Sequence, residues 1–102
     1  MIDWYESIRQ EREHQDSKWG EQNHHPALWM AILGEEYGEV CKEVNDYALD
    51  GEYSHIIKMM EETIQVAAVC VWFLDCLERH RLKMKSEIPD PREAVNKGWV
   101  QL

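Results

Sequence analysis

Apolar residues recur along this chain at three and four positions, the period of an amphipathic helix, and nowhere at the two-residue period of a half-buried strand. Asp3 and Glu6 form a capping pair with Ile2 just ahead, opening a helix from about Trp4 to Ser17. Its apolar face is thin (Trp4, Tyr5, Ile8, then mostly charge), so it must lean on other elements to be stable. Lys18 to His25 has no period and contains Gly20 and Asn23, which predicts a loop. Pro26 suits the first turn of a second helix running to about Leu49, with Leu33, Tyr37, Val40, Val44 and Tyr47 on its apolar stripe. Gly34 and Gly38 interrupt it at about 1 kcal/mol each relative to alanine, for which close helix approach or substrate access are the two available reasons. Asp50-Gly51 marks a turn, and Ser54 can cap a third helix reaching about Lys85.

From Val66 to Leu74 the third helix is apolar on every side. A helix apolar all round is buried all round, and three helices cannot surround one of their own number. The fold expected is therefore all-α, a single domain over residues 1–102: an antiparallel helical bundle completed by oligomerisation, as a dimer or tetramer. Arg79, Arg81, Lys83 and Lys85 complement the dipole at the end of the third helix. Pro89 ends that segment, and Asp90-Pro91-Arg92-Glu93 reads as a fresh start: cap, proline, glutamate. A short helix to about Gly98 would leave Trp99 to dock.

With 102 residues and a net charge of −9, the chain is a poor match for bare nucleic acid or an anionic membrane, and for a naked nucleoside triphosphate. A metal-bridged nucleotide is a different case, because the metal reverses the local field. Cys41, Cys70 and Cys76 are an odd set without Cys-x-x-Cys spacing among apolar neighbours, as expected of buried free thiols in a reducing compartment. No signal peptide opens the chain, and Val66–Leu74 falls far short of the roughly 20 residues that span a bilayer. A cytoplasmic location is expected.

The candidate chemistry lies in two acidic clusters. Glu35-Glu36-Tyr37-Gly38-Glu39, with Glu43 one turn on, sits on the second helix; Glu61-Glu62-Thr63-Ile64-Gln65 sits on the third. Spacings of three and four put Glu36, Glu39 and Glu43 on one face and Glu62 near Gln65. Most charge runs are solvated faces, but these two are flanked by Val40, Cys41 and Val44 and by the uncharged run after Val66. A divalent cation resolves the repulsion, since Mg²⁺ takes carboxylate oxygens and retains waters for a phosphate-bearing substrate.

Together the clusters resemble the paired motif of the MazG-like all-alpha nucleotide pyrophosphohydrolase family, E-E-x-x-E on one helix and E-x-x-D on the next. Glu35, Glu36 and Glu39 complete the first half; Glu62 to Gln65 supply the second, with Gln65 in the aspartate's place. Lys18-Trp19-Gly20-Glu21-Gln22 is similar to the segment preceding the first motif in short phage and bacterial members, and the resemblance spans roughly residues 15 to 80. It implies Mg²⁺-dependent hydrolysis (Mn²⁺ as substitute) of nucleoside triphosphates, deoxynucleotides foremost, to monophosphate and pyrophosphate. By carry-over Glu36, Glu39 and Glu62 hold the metal, Gln65 takes the fourth ligand position, and Glu35 orients or deprotonates the attacking water. An amide ligates Mg²⁺ without bringing charge. Gln65 thus leaves three readings: weaker metal binding, a site rearranged onto Glu61 or Glu43, or lost catalysis, the last corresponding to a non-catalytic helical assembly or binding protein. A di-iron bundle wants Glu-x-x-His, which neither Glu36 nor Glu62 begins.

Further substrate contacts are smaller expectations. Trp19, read as a loop residue, either stacks on a base or tucks the loop onto the bundle. Tyr47 is a base-pocket candidate, and Lys58 and Arg79 are candidates to meet phosphate. Trp29 and Trp72 read as packing, and His25 as a helix cap, His24-His25 lacking the spacing of a zinc pair.

Overall fold

The computed structural model describes residues 1–83 and Arg92. Apart from Arg92, the expected fourth helix lies outside the described residues, as do Lys85, Pro89 and Trp99. Three helices, α1 (Trp4–Trp19), α2 (Pro26–Asp50) and α3 (Ser54–Lys83), make up the fold, with no strand among the described residues.

The helix ends follow the local chemistry. Asp3 accepts from the Glu6 amide at 3.2 Å, but Glu6 turns its carboxylate to Arg9 and Gln10 rather than back to Asp3, so only half of the capping box forms. His25 caps α2, its Nδ1 accepting from the Ala27 amide at 3.0 Å, with Pro26 following it. Gly51, at φ +67°, ends α2 by donating to the Tyr47 carbonyl at 2.8 Å, a left-handed position that favours glycine. Ser54 is the first residue of α3; the preceding turn is held by the Asp50 carboxylate accepting from the Glu52 amide at 2.8 Å. Trp19 is a correction, being the last residue of α1 and not part of the loop.

α3 is the central helix, packed by both α1 and α2. Trp29, near the start of α2, is 1% exposed and meets Trp72 edge-on at 5.5 Å and Phe73 at 5.8 Å in the later half of α3. At the other end Glu43 meets His55, so α2 and α3 run antiparallel, as a three-residue connection requires. α1 runs in the same direction as α3: Trp4 and Ile8 border Ile56 and Met60, and Arg12 reaches Trp72 and Asp75. The thin apolar face of α1 is compensated by two buried polar residues, Arg12 and Gln15. The Arg12 guanidinium lies 4.8 Å from the centre of the Trp72 ring and bonds Gln15 at 2.9 Å and Asp16 at 2.8 Å.

Cys76 is buried, Cys41 and Cys70 are half-buried, and all three are free thiols. Cβ atoms added at Gly34 and Gly38 would meet open space, so close helix approach within the chain does not explain these glycines. Of the apolar run on α3, Ala68, Val69 and Trp72 are buried, whereas Val71 and Leu74 are exposed. No described helix is long and apolar enough to cross a membrane.

His55 fastens the hairpin, with Nδ1 2.8 Å from Glu43 and Nε2 2.9 Å from Asp50. Hydrogen bonds to Glu43, then to Asp50, hold its pKa above the ordinary 6.5. The stabilisation is thus fully present below about pH 6.5 and is lost as pH rises through the elevated folded value. The thermal midpoint of wild type minus that of His55→Asn is expected to shrink between pH 6 and 8.5. A pH-independent difference would contradict the clasp.

Candidate functional site

Above α3, α1 and α2 part to leave a cleft of about 410 Å³. Glu11, His14, Gln15, Lys18 and Trp19 line it from α1, Trp29, Ile32 and Glu36 from α2, and Gln65, Val69 and Trp72 from α3, with Gln22 and His24 at the loop. The floor is aromatic and the rim polar, as in many small-molecule sites. Trp19 is 60% exposed at this rim, with the Lys18 ammonium 5.0 Å from its ring centre, so it is not tucked onto the bundle.

Glu36 stands where the cleft meets the acidic cluster. Half-buried, its carboxyl is pushed above the usual range by burial, then by the charges of Glu62, Glu39, Glu35 and Glu11. Glu62, also half-buried, is pushed up by burial, then by Glu39, Glu43 and Glu61. Glu36 and Glu62 thus feel each other's or a shared neighbour's charge across the α2–α3 hairpin, Glu36 from Glu62 and Glu39, and Glu62 from Glu39. Glu35 and Glu39 are exposed, and Gln65 borders the cleft beside Glu36.

Tyr47 and Lys58 stand apart. Neither lines the cleft; Tyr47 is eleven residues beyond Glu36, about 16 Å along the helix, and Lys58 is exposed on α3. Arg79 also lies outside the cleft lining, bonded to the loop before α2. Three cleft residues that the acidic motifs do not mark are Glu11, His14 and Gln15. Their three- and four-residue spacing with Lys18 was the signal available: a polar stripe on a helix otherwise short of apolar residues.

Among the described residues, the ligand-type atoms that all fall within 4.8 Å of one another are those of Glu43, Asp46 and His55, and not those of Glu36, Glu39 and Glu62. Both His55 nitrogens already face carboxylates, and Lys42 pairs Asp46 at 3.0 Å, so this cluster is satisfied as a hairpin clasp.

Gln65 carries the clearest test of the metal reading. Gln65→Asp adds a charged ligand and, without metal, added repulsion; its Mg²⁺-induced rise in melting temperature is expected to exceed that of wild type. An identical shift would put position 65 away from the metal.

No protein-family model, curated protein or solved structure matches the chain.

Proposed function

We propose that the chain is a Mg²⁺-dependent nucleotide pyrophosphohydrolase, a hydrolase that splits nucleoside triphosphates into monophosphate and pyrophosphate. What supports this reading is that Glu36 and Glu39 on α2 and Glu62 on α3 are near enough for their charges to act on one another, with Glu36 bordering a cleft rimmed by Trp19; a bound cation would have to draw the three carboxylates closer. Glu36, Glu39 and Glu62 would hold the cation, with the Gln65 amide oxygen as a neutral ligand. The cation would supply positive charge against the phosphate oxygens and acidify water.

The remaining work falls to the chain's own groups. The Trp19 indole offers a flat, exposed edge of the cleft on which a base can stack. Glu35 orients the attacking water and takes its proton. The water oxygen bonds the α-phosphorus as the bond to the bridging oxygen breaks, and pyrophosphate leaves. Such a transfer depends on positioning and charge neutralisation more than on covalent help from the protein. Pyrophosphate release from a panel of nucleoside and deoxynucleoside triphosphates, with Mg²⁺ or Mn²⁺ and with EDTA, tests the reading. Metal-dependent release of equimolar monophosphate is expected; no release from any of them moves the assignment to the non-catalytic assembly protein.

The proposal includes a homo-oligomer in the cytoplasm. Exposed Val71 and Leu74 and the apolar groove of Trp4, Ile8, Ile56, Met59, Met60 and Ile64 support it, since a partner copy would take this apolar surface out of water. Light scattering at micromolar concentration is expected to give a dimer or tetramer; a monomer mass contradicts it.

A further inference from the structure

The six residues between α1 and α2, 20–25, form one wall of the cleft through Gln22 and His24 and follow directly on Trp19. Such a segment has no backbone ladder of its own, and its shape must come from elsewhere. Much of it comes from one side chain on α3. Arg79 donates from Nη2 to the Gln22 carbonyl at 2.8 Å and from Nε to Asn23 Oδ1 at 3.1 Å. The same Nε lies 3.4 Å from Glu21 Oε1. The bonds continue through the loop: Asn23 donates to Glu21 at 3.1 Å, Gln22 Nε2 donates to the Trp19 carbonyl at 2.8 Å, and Cys76 Sγ lies 3.8 Å from the His24 carbonyl. Arg79 thus makes three of the contacts that fix the loop and does so from behind it, outside the cleft.

We propose that Arg79 is a positioning residue: by fastening Glu21, Gln22 and Asn23 to α3 it sets the loop wall and the Trp19 edge against which the substrate's nucleoside moiety docks. This rests on the nucleotide reading of the cleft given above. A planar guanidinium can serve a carbonyl and a neighbouring side-chain oxygen in one fixed fork; an ammonium is a point charge without that geometry. Arg79 therefore governs affinity for the nucleoside end, while the acidic cluster, built on other segments of α2 and α3, keeps its own affinity for metal.

The test compares wild type, Arg79→Met and Arg79→Lys in three measurements. These are amide hydrogen exchange over residues 20–25, binding of Mg²⁺ alone, and binding of four α,β-methylene deoxynucleoside triphosphates with Mg²⁺ by calorimetry. Arg79→Met is expected to exchange faster in the loop and to lose about tenfold or more in analogue affinity, the scale on which misplacement of a binding wall is felt. Its Mg²⁺ affinity is expected to be unchanged. Arg79→Lys, which keeps the stem and the charge and guards against a simple folding failure, is expected to fall between the two. Unchanged loop exchange in both variants, or analogue affinity that survives in both, overturns the proposal alone. A wild-type protein that binds none of the four analogues overturns the nucleotide reading and the proposal with it.

Discussion

Glu36→Gln is expected to lower Mg²⁺-dependent pyrophosphate release at least about a hundredfold while making the metal-free protein more stable. The first effect follows from the proposed role of Glu36 as a cation ligand, at a carboxyl on which the charges of Glu62, Glu39, Glu35 and Glu11 act. If cation binding there supplies several kcal/mol of charge stabilisation, losing even half of it is worth about a hundredfold at about 1.4 kcal/mol per tenfold. The second effect has the opposite sign for the same reason. A carboxyl whose folded pKa is raised above the ordinary 4.5 stabilises the fold fully below that value, and the contribution is lost as pH rises through the elevated one. At pH 7 the ionised group opposes folding, and an amide of the same shape removes the opposition. Metal-free wild type should accordingly melt higher at pH 5 than at pH 7 to the extent that Glu36 and Glu62 dominate, and Glu36→Gln should flatten that difference. Thermal scans with and without Mg²⁺, beside the release assay, check both signs. A variant that keeps its activity, or that loses stability at pH 7, contradicts the site.

Trp29→Ala is expected to remove most of the stability of the fold. Trp29 is the largest fully buried side chain among the described residues, held between Trp72, Phe73 and His24. Truncating such a residue costs about 3–5 kcal/mol, against a total of about 5–15 kcal/mol for a domain, with a chain this small toward the lower end. Urea unfolding followed by helical circular dichroism should show the midpoint collapsing. Leu74→Ala, at a side chain 60% exposed, should change the monomer by no more than about 0.5 kcal/mol. Similar midpoints for Trp29→Ala and wild type would mean that the core lies elsewhere.

The parts of this architecture legible in the sequence are those set by neighbours in the chain. Asp3, His25-Pro26 and Asp50-Gly51 mark helix boundaries because caps and turns are satisfied within a few residues. The spacing of Glu36, Glu39 and Glu43 puts them on one face of α2 for the same reason. What could not be read depends on register between helices. The His55 clasp joins residues twelve apart across a turn, and Arg79 meets a loop more than fifty residues earlier. Tyr47 shares the apolar stripe of α2 yet lies too far along it to reach the cleft, since periodicity gives the face and not the height. Arg12 and Gln15 read as surface residues by composition. They are buried because Trp72 presents its ring to the guanidinium and Gln15 takes one of its hydrogen bonds. The aperiodic stretch with Gly20 and Asn23 predicts a loop from Lys18, whereas Gly20, at φ +72° and bonded back to Asp16, closes the helix only after Trp19.

An anomalous difference map from crystals soaked in Mn²⁺ tests the central claim most directly. The account predicts an ion held by carboxylate oxygens of Glu36, Glu39 and Glu62, with the Gln65 amide oxygen toward it. An ion seated instead among Glu43, Asp46 and His55, or none at the Glu36 cluster at millimolar Mn²⁺, would contradict it.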